Sequence, residues 1–432
     1  MEKKKKKFQE QNKYLLIETS SAEYSNNDFQ SLLFEKFRDA LNKKYPRSDF
    51  KIERIPYIEL IGRVWEECRA STKKLDGHIG NFISIAKTYA LDPDAIEHRL
   101  LSEPWSGRQK AFANIALSIY KKYEESLRVE NTIDFSDMIN LAIIKLNNKP
   151  DFYTNEFDHM LIDEYQDISQ QRYLLIKALM QKNQGCRLFC VGDDWQSIMG
   201  FAGANLDLFV HFDDYFNHPF RTDLSVNYRS RKSIVDTGQA IIHHNLNQIQ
   251  KETSAFDQHE IPVKVIRFYS KNEREYGIEM AHYCIDIVEN FIKEGYSPDD
   301  IFILSRIVKG YNIQNTLLQY AIERNVPVTT ESRMHNHVHV MSIHKSKGLQ
   351  ARVVIVLNVD SSLYGLPCEL ENPNIYQPAV IGRVRDHLEE ERRLFYVAIT
   401  RAKDQAILFA WSDTTSKFIE EISSLVEYLD VG

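Results

Sequence analysis

The feature that most limits how this chain can fold is a pair of short apolar segments that each end in acidic residues. The first, Met160 to Ile162, runs into Asp163-Glu164-Tyr165-Gln166-Asp167, and the second, Leu188 to Val191, runs into Gly192-Asp193-Asp194. A helix-length segment, Gln170 to Gln181, separates them. Short apolar runs that alternate with helices are typical of a parallel α/β sheet, where ligands bind at the carboxyl ends of the strands. The pattern therefore predicts an α/β fold with two strand ends that carry chemistry.

The same alternation continues towards the C-terminus, whereas the N-terminal part is expected to be helical. Further candidate strands are Ile301 to Leu304, Val338 to Ile343, Val353 to Val359 and Ala406 to Trp411. From about Phe29 to Leu146 turn residues are few. Apolar residues recur there at helical spacing, as in Phe112, Ile115, Ala116, Ile119 and Tyr120. We therefore expect a helical N-terminal subdomain followed by α/β sheet.

Composition indicates a soluble globular protein of two or three domains. The 432 residues exceed what one core usually serves, and the contents of 43% apolar and 27% charged residues are ordinary. No apolar run approaches the roughly 20 residues that span a bilayer. The run Lys3 to Lys7 is interpreted as a solvated terminus, and the five cysteines as reduced thiols of a cytoplasmic protein. The net charge of −7 argues against coating nucleic acid through bulk charge, but it allows a local binding groove.

The carboxylates at the first strand end suit nucleotide hydrolysis. Mg²⁺ prefers one or two carboxylates together with phosphate oxygens, and a second carboxylate can orient or deprotonate an attacking water. Asp163 and Glu164 fit these two tasks, although an acidic strand end that merely faces solvent is the other interpretation. After the second strand, Gln196 stands where a neutral amide can sense a γ-phosphate.

Six segments resemble, in order, the motifs of one enzyme family. They are ENTIDFSD (130–137), DEYQD (163–167), VGDDWQSI (191–198), LSVNYRS (224–230), SIHKSKGLQ (342–350) and EERRLFYVAITRAK (390–403). Together they resemble the UvrD/Rep type of superfamily 1 DNA helicases, and the sequence Asp-Asp-Trp-Gln resembles that of its helicase IV branch. The resemblance implies two RecA-like lobes, the first incomplete. It also implies an ATP-dependent 3′-to-5′ motor on single-stranded DNA that acts in repair or recombination.

The resemblance further implies which residues bind ATP and Mg²⁺. Asp163 and Glu164 would hold Mg²⁺, and Glu164 would also activate water. Gln196 would contact the γ-phosphate, while Arg229 and Arg401 would reach the phosphates from the second lobe. Guanidinium groups suit this task, because phosphoryl transfer develops negative charge that they stabilise.

Other residues correspond to the family's contacts with adenosine and DNA. Tyr228 would stack on adenine, and Gln350 replaces a glutamate that usually binds the ribose, where an amide can still hydrogen-bond. Phe201 would stack on a DNA base, which every base tolerates. His344 and Lys347 lie where the family touches DNA. For Phe201 an ordinary core aromatic is the alternative.

One element that the family needs is missing from the sequence. None of the 16 glycines is followed by lysine, so we expect no Gly-Lys-Thr or Gly-Lys-Ser loop to cradle the β- and γ-phosphates. We expect residues 1–110 to be a partial helical insertion of the first lobe, 111–212 the remainder of that lobe, and 213–432 the second lobe. Only Ile307 to His337 separates two sheet strands where larger relatives carry an accessory subdomain, so that subdomain should be absent.

Three functions remain open from the sequence. The chain is an incomplete helicase, a non-catalytic remnant that binds DNA or a partner, or one half of a split helicase completed by a separate chain carrying the phosphate-binding loop. Retention of Asp163, Glu164, Gln196, Arg229 and Arg401 favours recent loss or a split over long decay.

An alternating histidine segment offers a further candidate site. If His335, His337 and His339 lie on one strand, all three point to the same face. A metal site is one interpretation. Because no carboxylate or cysteine clusters with them in the sequence, surface histidines on an edge strand are the favoured one.

Overall fold

The computed structural model describes residues 29–46, 75–149, 151–307, 313–331, 333–362, 364–369, 374–382 and 386–431. The chain forms two compact units, residues 1–77 and 78–432. The run Lys3 to Lys7 and Cys68 lie outside the described residues. Within the described ranges, every helix is too short or too polar to cross a membrane.

Helices dominate the described N-terminal residues and flank the sheets that follow. They are α1 (Phe29–Lys44), α2 (75–88), α3 (Pro93–Ser102), α4 (Gly107–Glu130), α5 (Phe135–Asn148), α6 (Gln170–Lys182), α7 (Asp207–Val210), α8 (Phe212–Tyr215), α9 (Lys232–Ile242), α10 (Glu273–Lys293), α11 (Ile313–Glu323), α12 (His387–Thr400) and α13 (Lys417–Glu421). Local sequence fixes several ends. The helix α4 starts at a reciprocal capping box between Ser106 and Gln109 and ends at Asn131, which adopts the left-handed conformation.

Strands form one large parallel sheet and two small ones. They are β1 (His159–Ile162), β2 (Arg187–Cys190), β3 (Val226–Arg231), β4 (Ser254–Asp257), β5 (Val263–Phe268), β6 (Ile301–Ser305), β7 (Val328–Thr329), β8 (Val338–Ser342), β9 (Ala351–Leu357), β10 (Ala402–Trp411) and β11 (Val426–Val431). The large sheet has the order β11-β5-β10-β9-β6-β8-β7, and the small sheets pair β1 with β2 and β3 with β4.

The predicted α/β fold with parallel strands is confirmed. All described pairings in the large sheet are parallel, and its central strands are buried almost throughout, as expected for strands covered on both faces. The four strands predicted in this half of the chain correspond to β6, β8, β9 and β10, although β9 and β10 begin earlier than expected. The division at residues 110 and 212 stays a prediction.

The apolar face predicted for the N-terminal helix is partly wrong. Of the residues expected on one face of α4, Phe112, Ala116 and Tyr120 are buried, but Ile115 and Ile119 are 48% and 42% exposed. The buried face instead includes Ala113 and Leu117. The reason is a tertiary contact, because the helix turns Phe112 towards two partner rings, Phe82 and Tyr376.

The histidine prediction also needs correction. Only His339 lies in a strand, β8, whereas His335 and His337 precede it in a bend that Asp299 organises by accepting the His337 main-chain N–H at 3.3 Å. The strand is not at the edge of the sheet, since β7 lies outside it. Among the described residues no group of three or more His, Cys, Asp or Glu side chains could hold a metal ion.

A buried lysine joins three helical segments. Lys87, at the end of α2, is 4% exposed, and its ammonium lies 2.6 Å from Glu124, 2.6 Å from Asp134 and 2.7 Å from Asp137. Asp134 also caps α5. Burial alone lowers the pKa of Lys87, but the three carboxylates raise it above its ordinary value. The segment 130–137 is therefore fixed by an ion cluster as well as by its cap.

We predict that Lys87→Met destabilises the protein strongly. Removing one partner of a buried ion pair typically costs about 3–5 kcal/mol, and the lower end applies here since two of the carboxylates stay partly hydrated. Urea unfolding should show a loss of about 3 kcal/mol. The matched control is Lys121→Met, which removes a lysine paired with Glu97 at the surface and should cost at most about 1 kcal/mol. Equal losses would contradict the importance of the cluster.

Candidate functional site

The two acidic strand ends lie side by side, as predicted. In the parallel β1–β2 pair Ile162 is in register with Cys190, and the Val191 N–H donates to the Ile162 carbonyl at 2.9 Å. The Tyr165 N–H in turn donates to the Val191 carbonyl at 2.9 Å. Asp163 and Gly192 therefore leave the same edge of this sheet.

The first strand end turns sharply at its second carboxylate. Asp163 and Glu164 are both exposed, and Glu164 adopts the left-handed conformation with φ of 51°. Its N–H donates to Asp163 Oδ1 at 2.9 Å, and its own Oε2 accepts from Gln166 Nε2 at 2.5 Å. Two exposed carboxylates on consecutive residues match the one or two that Mg²⁺ needs when phosphate and water supply its other ligands.

Gly192 lets the second strand end pass close to the first. A Cβ at this position would lie 2.5 Å from Gln166 Oε1 and 2.7 Å from the Phe209 ring. The same Gln166 oxygen accepts the Asp193 N–H at 3.0 Å. Any larger residue would disrupt the contact that holds the two strand ends together.

Gln196 links this edge to the second half of the chain. Its Nε2 donates to Asp193 Oδ2 at 2.6 Å, and its Oε1 accepts from Arg401 Nη2 at 2.9 Å. Arg401 thus contacts the segment that follows the second strand end. Burial, and then the positive charge of Arg229, lower the pKa of Arg401 to about 10, so its guanidinium stays protonated at neutral pH.

The other residues predicted to contact nucleotide gather on and near β3. Arg229 is exposed and its Nε donates to Gln350 Oε1 at 3.1 Å. Tyr228 is 75% exposed, and its ring lies 4.9 Å from that of Phe256 on the neighbouring strand β4. Sequence reasoning missed Phe256, because β4 is short and only its pairing with β3 brings the two rings together.

Phe201 and His344 form an aromatic pair in which Phe201 is exposed and His344 is half-buried. Their ring centroids are 5.2 Å apart with planes nearly perpendicular, and Phe201 is 55% exposed, which does not fit the alternative of a core aromatic. Burial, followed by the charges of Arg306 and Lys347, lowers the pKa of His344 to about 4. His344 is therefore neutral at pH 7 and offers a hydrogen bond rather than a positive charge.

Lys347 contacts the strand-end segments directly. Its ammonium lies 2.6 Å from Asp167 Oδ2 and donates to the Gln196 main-chain carbonyl at 2.9 Å. The side chain is only 13% exposed. Burial raises the pKa of Asp167, and the ammonium opposes that effect. The side chain expected on DNA thus has two internal partners.

Two further basic residues at this site escaped sequence reasoning. Arg393 is buried in α12 and its Nε donates to the Ser197 carbonyl at 3.1 Å. Lys251 contacts the carboxylates of both Asp193 and Asp194. Arg393 lies within a recognised motif, so a basic side chain at that place in the sequence could have been recognised as a candidate site residue. Lys251 lies between motifs, and nothing in the local sequence distinguishes it.

Comparison with known proteins yields two family matches. Residues 2–217, half of the chain, match the UvrD/REP helicase N-terminal domain, and residues 312–412 match the UvrD-like helicase C-terminal domain. The chain is similar to DNA helicase IV of Escherichia coli (strain K12), with 28% identity over 84% of this chain and 49% of the relative.

Two further relatives match shorter stretches. ATP-dependent DNA helicase PcrA of Leuconostoc citreum is 30% identical over 45% of this chain and 25% of its own length. Putative ATP-dependent DNA helicase YjcD of Bacillus subtilis (strain 168) is 31% identical over 48% and 27%. The chain therefore spans about half or less of the length of these relatives. Its two domain matches and its ordered motifs show that the chain belongs to the UvrD/Rep helicase family.

Proposed function

We propose that this chain supplies most of the working surface of an ATP-dependent motor that moves 3′ to 5′ along single-stranded DNA in repair or recombination. The observation that carries the proposal is the contact between Gln196 and Arg401. The contact lies at the end of β2, on the same sheet edge where β1 ends in two exposed carboxylates, Asp163 and Glu164. Such a set of groups suits phosphoryl transfer, which depends on positioning and on charge stabilisation.

In this proposal the strand ends handle the metal and the water. Asp163 and Glu164 would hold Mg²⁺. Glu164 also orients the attacking water or accepts a proton from it. Mg²⁺, when bound, neutralises part of the charge of the β- and γ-phosphates. Gln196 donates an amide hydrogen to the γ-phosphate, since only one of its two Nε2 hydrogens is used by Asp193. Arg401 stabilises the charge that develops on that phosphate.

Residues from the second half of the chain hold the nucleoside in this proposal. Tyr228 stacks on adenine, Gln350 hydrogen-bonds the ribose, and Arg229 contacts a phosphate. Support comes from exposure, because Tyr228 presents most of its ring to solvent and the Arg229 side chain is also exposed. Arg229 donates to Gln350, so one ligand can engage both groups together.

The phosphate-binding loop comes, in this proposal, from a separate polypeptide. None of the 16 glycines here precedes a lysine. Support comes from exposed apolar residues on two elements of the first half of the fold, which are together called the apolar surface. On the β1–β2 sheet Leu161 is 75% and Phe189 60% exposed, and on α5 Phe135 is 89% and Met138 56% exposed. Exposed apolar residues on a two-stranded sheet and on a helix are typical of surfaces that another segment covers.

The same surface favours a second candidate function, a non-catalytic module that binds DNA or a protein partner. An apolar surface can serve as an interface without any hydrolysis. The two functions differ in whether a second polypeptide that carries a Gly-Lys-Thr loop restores ATP turnover. A remnant would bind such a polypeptide without gaining activity.

We predict that the chain alone hydrolyses ATP negligibly, with or without single-stranded DNA. Loss of the loop removes charge stabilisation, and each 1.36 kcal/mol lost is about a tenfold reduction in rate. Phosphate release from the purified chain is the measurement, and Glu164→Gln is the control, because turnover that persists in this variant comes from a contaminant. DNA-stimulated turnover of about 1 s⁻¹ or faster that Glu164→Gln abolishes would contradict the prediction.

We predict weak, salt-sensitive binding of single-stranded DNA through Phe201, His344 and Lys347. Phe201→Ala should weaken binding by about 1–3 kcal/mol whatever the base sequence, since stacking is indifferent to sequence. Fluorescence anisotropy with oligonucleotides of different composition is the measurement. Phe135→Ala, which removes a ring from α5 that is 89% exposed, serves as the control and should bind like the parent.

The contribution of Lys347 has a separate signature. For Lys347 to contact a DNA phosphate, its ammonium must leave Asp167. If it does so, the slope of log affinity against log salt should be lower by about one unit in the Lys347→Gln variant. His344→Gln should leave that slope unchanged because the imidazole is neutral at pH 7. If the slope is unchanged in Lys347→Gln and its Tm is lower, the ammonium of Lys347 stays on Asp167 when DNA is bound, and the predicted phosphate contact is wrong.

A further inference from the structure

Lys251 makes an unusual set of contacts for a residue outside every recognised motif. Its ammonium lies 2.6 Å from Asp193 Oδ1 and 2.7 Å from Asp194 Oδ1, and 4.7 Å from the centre of the Trp195 ring. Its side chain is 17% exposed. One cation therefore meets three consecutive residues of the segment that follows β2.

The neighbours of Lys251 strengthen this docking. The Ile249 N–H donates to Asp194 Oδ2 at 2.7 Å, and the Ile249 carbonyl accepts from Trp195 Nε1 at 3.3 Å. Asp194 is completely buried. Its two oxygens are thus satisfied by one main-chain N–H and one ammonium, as a buried carboxylate requires.

Asp193 extends the contact towards the candidate site. While Oδ1 meets Lys251, Oδ2 accepts from Gln196 Nε2 at 2.6 Å, and Gln196 Oε1 accepts from Arg401 Nη2 at 2.9 Å. Lys251, Asp193, Gln196 and Arg401 therefore form one continuous chain of polar contacts. An ionised carboxylate only accepts hydrogen bonds, so it fixes which end of the glutamine amide faces it.

Neutralising Asp194 does not explain the bond from Lys251 to Asp193. The Asp193 side chain is 29% exposed, so water can solvate it and burial does not demand a cation there. Together with the Trp195 N–H, which donates to the same Oδ1 at 3.2 Å, the bond holds the carboxylate in one orientation. With Asp193 fixed, the second amide hydrogen of Gln196 and the guanidinium of Arg401 are oriented together.

We infer that Lys251 is a positioning residue for recognition of the terminal phosphate. It holds Asp193 so that Gln196 keeps its amide nitrogen, and not its oxygen, available to a γ-phosphate, while the oxygen draws Arg401 into the site. The inference rests on the proposed nucleotide site. Without Lys251 the Asp193 carboxylate loses the cation on Oδ1 and can rotate, which weakens its hold on the amide nitrogen of Gln196. A diphosphate lacks the group that is sensed, so its binding should not depend on Lys251.

The test compares affinities for ADP and for the non-hydrolysable triphosphate AMP-PNP, measured by competition NMR on the purified chain with Mg²⁺. Lys251→Met alone leaves Asp194 buried and unpaired, so the working variant is Lys251→Met combined with Asp194→Asn. Its ratio of AMP-PNP to ADP affinity should fall about tenfold, the factor expected for loss of one charge-assisted hydrogen bond, while ADP affinity is unchanged. Lys251→Arg should restore most of the ratio.

The control is Lys232→Met. Lys232 also joins two carboxylates, those of Asp236 and Glu260, but at the surface and without a link to Gln196. It should leave the ratio unchanged. An unchanged ratio in the working variant with a lower Tm would overturn the inference and make Lys251 purely structural. Failure of the parent chain to bind either nucleotide would instead overturn the proposed nucleotide site, and the inference with it.

Discussion

Three cations converge on two consecutive residues, and the candidate site depends on their meeting. Lys347 donates to the main-chain carbonyl of Gln196, Arg401 donates to its side-chain oxygen, and Arg393 donates to the carbonyl of Ser197. Hydrogen bonds from charged donors are roughly twice as strong as neutral ones, and a poorly hydrated surrounding strengthens them further. Because all three cations follow β8 in the chain, they attach the segment after β2 to the large sheet. The contacts between β1 and β2 hold the two strands together but do not attach them to the large sheet.

The two lysines of this site are already paired with carboxylates. Lys347 faces Asp167, Lys251 faces two carboxylates, and His344 is neutral at pH 7. Binding of phosphate groups is then an exchange of partners and not the capture of unpaired charge. The free energy gained in such an exchange is only the difference between the free energies of two favourable contacts. In the proposed function this exchange would make affinity for the ligand sensitive to small changes in the geometry of the site.

Sequence patterns predicted the parallel α/β fold and its two acidic strand ends, because these depend on apolar runs that alternate with helices. They failed where tertiary contacts decide. Ile115 and Ile119 have helical spacing, yet the buried face of α4 is rotated towards Phe82 and Tyr376. Short or polar strands such as β4 and β11 carry no apolar run that could be recognised. The bond from Lys251 to Asp193 spans 58 residues, and no local pattern encodes such a contact.

The left-handed backbone at Glu164 has a consequence for how this site can change. A residue other than glycine in that conformation costs on the order of 1 kcal/mol, and it persists only where the surroundings impose it. Here the strand on one side and the turn of residues 165–167 on the other impose it. Glycine, or asparagine, would occupy the position with less strain. The backbone conformation at this position therefore favours glycine or asparagine over the glutamate that occupies it.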